Sequence, residues 1–263
     1  MSNQPLTITS PANPKIKWLV SLHKHANRRR EGVVIVEGNK EINFALDAGL
    51  RLEELFIVKE LSDNNLLPGA EKNFLISKTC FEKAAYRANS DGLIGIFAEP
   101  RRSLSSLQLS KAPFIIILEA VEKPGNLGAI IRTADGASAD AVIVCDERCD
   151  IWNPNAIRAS VGTIFSTPVF TATKEIVAAF LKEKSIQPFA AALTKNAIPY
   201  TSTSFKGPAA IIFGTEANGL SDFWLAHTTN IIIPMHGKND SLNVSVAAGV
   251  LAYEVVRQRT NTR

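Results

Sequence analysis

IPMHGKNDSLNVSVAAGVLAYEVVRQR, running from Ile233 to Arg259, is the stretch on which the reading of this chain turns. An apolar strand ends at Pro234. A polar, Gly-containing loop follows, then Ser241-Leu242-Asn243-Val244-Ser245, then a helix rich in small residues from Val246 to Arg257. A strand-to-helix connection needs about two to six residues and one cap. Here three polar side chains, Ser241, Asn243 and Ser245, stand at alternate positions before an apolar helix. One of them suffices to cap the helix N-terminus, and Ser245 is read as that cap. The others are free to face something else.

Two upstream stretches repeat the form. FIIILEAVEKPGNLGAIIRTADGASADAVIV spans Phe114 to Val144, and AAIIFGTEANGLSDFW spans Ala209 to Trp224. Each has a strand of mostly Ile, Val and Phe, a Gly-bearing loop with one or two polar residues, then a helical pattern. Further strands are expected at Ala141–Cys145, Thr167–Phe170, Pro188–Leu193 and Asn230–Ile233. Helices are expected at Leu127–Ser138, Pro154–Ile164, Lys174–Lys184, Ser221–Ala226 and Val244–Arg257. Near-continuous apolar strands alternating with helices predict a mainly parallel sheet covered on both faces.

The N-terminal part alternates on a smaller scale. Residues 33–36 (VVIV), Glu54–Val58, Phe74–Ile76 and Gly92–Phe97 read as strands. Asn39–Ala48, with Gly49 past its end, reads as a helix, and helical patterns run from Leu61 to Leu67 and from Cys80 to Tyr86. The polar stretch 99–113 reads as a linker. The expected division is residues 1–98, a linker at 99–113, and residues 114–263.

Composition narrows the class. The alternation of strands and helices reads as α/β, and the 46% hydrophobic and 21% charged residues are typical of a soluble globular protein. No apolar run approaches the roughly 20 residues that span a bilayer, so no membrane partner is expected. The first residues contain no apolar core of a secretory leader. Cys80, Cys145 and Cys149 fit neither a disulfide framework nor a zinc set, so no metal is expected and a reduced, cytoplasmic setting is.

The formal charge of +4 is unevenly placed. Lys15, Lys17, Lys24, Arg28, Arg29 and Arg30 lie in the first 30 positions with no acid among them, and the rest of the chain is slightly acidic on balance. Read as a basic arm, this segment fits a polyanionic partner, with Lys15, Lys17, Arg28, Arg29 and Arg30 as RNA-binding candidates. A solvated terminus with no partner accounts for the charges as well.

In type, order and spacing, PGNLGAIIRTADG, FGTEANGLS and IPMHGKNDSLNVSVAAG resemble the three signature motifs of the SpoU (TrmH-like) branch of the SPOUT RNA 2'-O-ribose methyltransferases. SPANPKIKWLVSLHKHANRRREGVVIVEGNKEI resembles, more loosely, the RNA substrate-binding domain of ribosomal-RNA members, which has a ribosomal-protein-like fold. Short tRNA-acting members generally lack that domain. The resemblance implies a C-terminal SPOUT domain with a trefoil knot, a homodimer, S-adenosylmethionine as cofactor, and ribosomal RNA, 23S foremost, as substrate. It implies that Arg132 is the main catalytic residue with Asn126 as companion, and that Glu216, Ser241 and Asn243 act beside them. It maps cofactor contacts onto Gly214, Ile233 and Leu242, with the loop after Leu193 in addition. Gly219, like Gly214, also suits a tight turn.

Elementary chemistry constrains these roles. A guanidinium stays protonated far above neutral pH, so Arg132 suits phosphate binding and alkoxide stabilisation rather than proton removal. Other readings stay open. A tRNA target would need the same motifs. A Rossmann-type site would use the same first strand and loop, although EAVEKPGNLGAIIR holds two glycines three apart rather than G-x-G-x-x-G. A non-catalytic RNA-binding or ribosome-assembly protein would keep the scaffold without needing Asn126, Arg132, Glu216, Ser241 and Asn243 together.

Overall fold

The computed structural model describes residues 5–58, 60–61, 70–86 and 91–260. The chain is mixed α/β and forms two compact units, one of Met1–Arg101 with Trp152–Ser166 and one of Arg102–Ile151 with Thr167–Arg263.

The first unit begins with strand β1 (Leu6–Ile8) and helices α1 (Pro14–Ser21) and α2 (His25–Glu31). It continues through β2 (Val33–Glu37), α3 (Asn39–Asp47), β3 (Leu52–Ile57), β4 (Lys72–Ile76), α4 (Lys78–Ala84) and β5 (Leu93–Ala98). Its sheet has the order β1-β4-β3-β5-β2, parallel between β1, β4 and β3 and antiparallel on either side of β5. Ile16 and Leu19 of α1, and Leu22 just past its end, are fully buried in a core with Phe56, Phe81 and Ile94. The helical pattern at 61–67 falls, apart from Leu61, outside the described residues.

Residues 5–31 are thus folded structure, not a free arm. Pro14 stands at the first turn of α1 and Asn13 caps it, its side chain accepting the Lys15 N–H at 2.8 Å. Arg28 overturns its reading as an RNA contact. It is 2% exposed and its Nη1 donates to the carbonyls of Leu22 at 2.5 Å and His23 at 3.0 Å, where α1 ends. A helix C-terminus leaves carbonyls unsatisfied, and Arg28 supplies their donor from inside the fold. Lys15 is committed as well, to Glu54 at 2.6 Å and to the Trp18 ring. Lys17, Arg29 and Arg30 are exposed.

The second unit starts with β6 (Phe114–Glu119), α5 (Pro124–Gly136) and β7 (Ala141–Cys145). The chain then contributes two short helices, α6 (Pro154–Ala159) and α7 (Thr163–Ser166), to the first unit. They replace the single helix expected at Pro154–Ile164. Val161 and Gly162 adopt left-handed φ of 55° and 85°, and a helix cannot run through two such residues. The second unit resumes with β8 (Val169–Ala172), α8 (Lys174–Glu183), β9 (Gln187–Ala191), β10 (Ile198–Pro199), β11 (Ala209–Phe213), α9 (Asp222–His227), β12 (Thr229–Ile232) and α10 (Val244–Thr260).

All seven strands pair in parallel, in the order β10-β12-β9-β11-β6-β7-β8. β11 lies between β6 and β9, and β12 between β9 and β10, so late strands fill places beside earlier ones. Ligands of open parallel sheets bind outside the carboxyl ends of strands, where the strand order reverses. In α5, the buried residues Leu127, Ile130, Ile131 and Ala134 recur at i, i+3, i+4 and i+7, which leaves Arg132 on the exposed face. In α10, Ala248, Leu251, Ala252 and Val255 follow the same spacing, and α10 packs against α5. The expected linker is not bare chain. Leu104, Leu107 and Leu109 pack partly buried against the core of the second unit.

Candidate active site at the carboxyl ends of β9, β11 and β12

A cavity of about 680 Å³ opens where β9, β11 and β12, three adjacent strands, end. Leu193 and Thr194 line it after β9, Gly214 to Leu220 after β11, and Ile233 to Val244 in part after β12. Gly214, Gly219, Ile233, Leu242 and Leu193, the five cofactor candidates, all belong to this lining. So do Glu216, Ser241 and Asn243.

The β11 loop is a rigid turn. Thr215 and Gly219 exchange two backbone hydrogen bonds of 3.0 Å, and the Thr215 hydroxyl accepts the Asn218 N–H at 3.0 Å. Gly219 has φ 66°, the left-handed region glycine enters without cost. Gly214 is required for a different reason, since a Cβ there would lie 2.2 Å from the Gly219 backbone. The far end of the turn is held by Glu119. This carboxylate, 5% exposed, accepts the Ser221 N–H at 2.8 Å and its hydroxyl at 2.6 Å.

A chain of polar contacts joins the three motif loops. Lys123, at the start of α5, forms an ion pair with Glu216. The other oxygen of Glu216 accepts the Asn126 side-chain amide. Asn126 Oδ1 in turn accepts from Asn243 Nδ2 at 3.4 Å. Asn243 Oδ1 accepts the Ser245 N–H at 2.9 Å and the Ser245 hydroxyl at 2.6 Å. Arg132 is not in this chain. It is exposed, and its side chain makes no hydrogen bond or ion pair with another described residue. Ser241 donates to its neighbour Asp240 at 3.0 Å.

These contacts correct the capping assignment. Asn243, not Ser245, is the N-cap of α10, because its oxygen takes the N–H of the second helical residue. Asn243→Ala should therefore cost about 1 kcal/mol of stability, whereas Ser245→Ala should cost markedly less. Thermal unfolding of the two variants reads the difference. Equal losses would restore Ser245 as the cap.

Three contributors escaped the sequence reading. Lys123 sits in the first motif stretch, but only the fold brings it to Glu216. Glu119 reads as the polar end of a strand. Thr194 follows the cited Leu193, and its hydroxyl is buried at the cavity with no hydrogen-bond partner among the described residues. The cysteines lie elsewhere and are free. Burial, with Asp146 nearby, pushes the Cys145 thiol up to about 12, and burial with Asp150 pushes Cys149 up to about 11, so neither is a thiolate nucleophile near neutral pH. Among the described residues no group of three or more His, Cys, Asp or Glu could hold a metal ion. No helix among them is long and apolar enough to cross a membrane.

Comparison with known proteins matches this geometry to a family. The model of the SpoU rRNA Methylase family covers residues 113–253, the span that holds all three motif loops. The chain belongs to the SpoU rRNA methylase family. A second match, to an MRM3-like substrate binding domain, covers residues 13–95. A Bacillus subtilis relative, named 23S rRNA (guanosine(2553)-2'-O)-methyltransferase RlmP, is 28% identical over 94% of this chain and 98% of its own length. A crystal structure of an RNA 2'-O ribose methyltransferase superposes with a TM-score of 0.86 at 35% identity, covering 97% of this chain and all of that one. The AdoMet-bound rRNA methyltransferase from Sinorhizobium meliloti superposes at 0.87 with 27% identity, covering 95% and 97% of the two chains. Family membership removes the Rossmann reading. The sheet agrees, because the loop after β6 carries no G-x-G-x-x-G and the cavity lies beyond β9, β11 and β12.

Proposed function

We propose that the protein methylates a ribose 2'-hydroxyl of 23S ribosomal RNA, with S-adenosylmethionine as donor. The observation that carries this is the meeting of three loops at one place, where a cavity for a cofactor adjoins the Asn126–Glu216–Asn243 chain. A volume of about 680 Å³ suits a nucleoside-sized ligand. Its lining suits S-adenosylmethionine, with Leu193, Ile233 and Leu242 as apolar walls, backbone groups at Gly214 and Gly219, and the unpartnered Thr194 hydroxyl as a donor or acceptor. The bound cofactor supplies an activated methyl group. The protein's own residues do the positioning. Asn126 and Asn243 offer fixed carboxamides toward the ribose, and Glu216 holds Asn126 in orientation. The Arg132 guanidinium, permanently cationic, takes the neighbouring phosphate and stabilises negative charge developing on the 2'-oxygen. Ser241 is assigned to the same RNA-facing edge.

The ribosomal target draws support from the substrate-binding-domain match at 13–95 and from the names of the relatives. The test uses labelled S-adenosylmethionine, 23S rRNA and tRNA, followed by alkaline hydrolysis, since a 2'-O-methyl group protects its own linkage. Alkali-resistant label in 23S rRNA is the expected result. Label on bases, or on tRNA alone, would overturn the reading, and cofactor binding without transfer would favour a non-catalytic assembly role.

RNA affinity is assigned mainly to the first unit, with Lys17, Arg29 and Arg30 as phosphate contacts in place of Arg28. Replacing the three by Ala should lower RNA affinity and flatten the slope of log affinity against log salt by up to about two to three units, ~0.7–0.9 for each lost phosphate contact. Affinity for S-adenosylhomocysteine should hold. An unchanged salt slope would contradict the assignment.

A cytoplasmic homodimer with a knotted second unit completes the proposal. Support for pairing comes from α10, which exposes Val246 and Tyr253 at 51% and 54% beside small residues that permit close packing. Sedimentation equilibrium at micromolar concentration should give twice the 28.5 kDa chain mass. An active species of single mass would refute pairing.

A further inference from the structure

Lys123 has no part in the roles assigned so far, yet the polar chain of the site begins at its ammonium. Glu216 has two carboxylate oxygens. Oε2 receives Lys123 Nζ and Oε1 receives Asn126 Nδ2. A carboxamide donates at one end and accepts at the other. Once Nδ2 of Asn126 is bound to Glu216, its Oδ1 is left as the acceptor, and Asn243 Nδ2 meets it at 3.4 Å. Asn243 is then oriented in its turn, with Oδ1 on the Ser245 N–H and hydroxyl. The orientation of both carboxamides is thus traceable to a fixed Glu216.

Folding stability does not account for this ion pair. Lys123 is exposed over 67% of its side chain and Glu216 over 33%. Exposed pairs of this kind contribute about 0–1 kcal/mol. The pair nevertheless joins the start of α5 to the β11 turn, whose Glu216 lines the cavity. We propose that Lys123 is a positioning residue for methyl transfer: its ion pair fixes Glu216, and through Glu216 the Asn126 and Asn243 carboxamides that meet the ribose. The proposal rests on the methyltransferase reading and deepens it.

The experiment compares Lys123→Met and Lys123→Arg with the unsubstituted protein on 23S rRNA, with RNA concentration varied. Lys123→Met should lower kcat about tenfold, since small misplacement of reacting groups costs up to about 10²-fold. KM for RNA, the salt slope of RNA binding, S-adenosylhomocysteine affinity and melting temperature should stay at the unsubstituted values. Lys123→Arg, which keeps the charge, should recover most of the rate. Unsubstituted kinetics in Lys123→Met would overturn the proposal. A raised KM with a salt slope flatter by about one unit would also overturn it, by making Lys123 a direct phosphate contact. A loss of melting temperature that tracks the rate would reduce it to a structural pair. If the unsubstituted protein transfers no methyl group to RNA ribose, the functional reading fails, and this inference with it.

Discussion

Arg132→Ala is expected to lower methyl transfer by about 10²–10³, the usual loss when a preorganised donor to developing negative charge is removed. The helix that carries Arg132 should stay intact. Its buried face consists of Leu127, Ile130, Ile131 and Ala134, and Arg132 projects from the opposite side without a partner among the described residues. Alanine is also the best helix former, so the exposed position tolerates it. Arg132 does not line the cavity. Calorimetry with S-adenosylhomocysteine should therefore return the unsubstituted affinity, and the melting temperature should hold. Lys should rescue poorly, because an ammonium does not reproduce the planar, bidentate contact of a guanidinium with phosphate. A variant with unsubstituted rate would remove Arg132 from the site, and lost cofactor binding would move it into the cavity wall.

Gly214→Ala should act on the cofactor. The added methyl would lie 2.2 Å from the carbonyl carbon and oxygen of Gly219 and 2.4 Å from the Leu220 nitrogen. All three are backbone atoms, so no side-chain rotation relieves the clash. The turn cannot simply slide away. The paired Thr215 and Gly219 backbones close it, and Glu119 holds Ser221 at its far end. Overpacking of this kind costs about 1–3 kcal/mol. If the turn yields toward the cavity it lines, S-adenosylhomocysteine affinity falls about 10- to 100-fold, at 1.4 kcal/mol per decade. Titration calorimetry beside a melting curve measures both parts. Unchanged affinity in a folded variant would show that the turn does not shape the cofactor site.

The two variants separate the two halves of the site, and each half differs in how far it was legible beforehand. The apolar spacing in Leu127–Ala134 is local, and it alone sends Arg132 to the exposed side of α5. The apolar runs at Phe114–Leu118, Ala141–Cys145 and Ala209–Phe213 demand cover on both faces, and they became adjacent strands of one parallel sheet. The motif residues after β11 and β12 were legible as loop chemistry, and the fold gathers them around one cavity.

What local pattern could not convey was which distant groups meet. Arg28 reads as one of three basic neighbours, but α2 turns it inward to the carbonyls at the end of α1 while Arg29 and Arg30 stay in solvent. Ser245 and Asn243 are equally good caps by residue type, and the start of α10 at Val244, with the Ser245 N–H on the Asn243 side chain, makes Asn243 the cap. The helix expected through Ile164 is broken by left-handed φ at Val161, a β-branched residue that local preference would not put there. Lys123 and Glu216 lie 93 positions apart and meet only because β11 inserts beside β6. By itself the sequence determined the helical faces, the parallel α/β class and the residues available for chemistry. The tertiary structure alone decided the partners of each polar group, because hydrogen bonds and ion pairs depend on ångström-scale approach between segments whose separation along the chain carries no record of it.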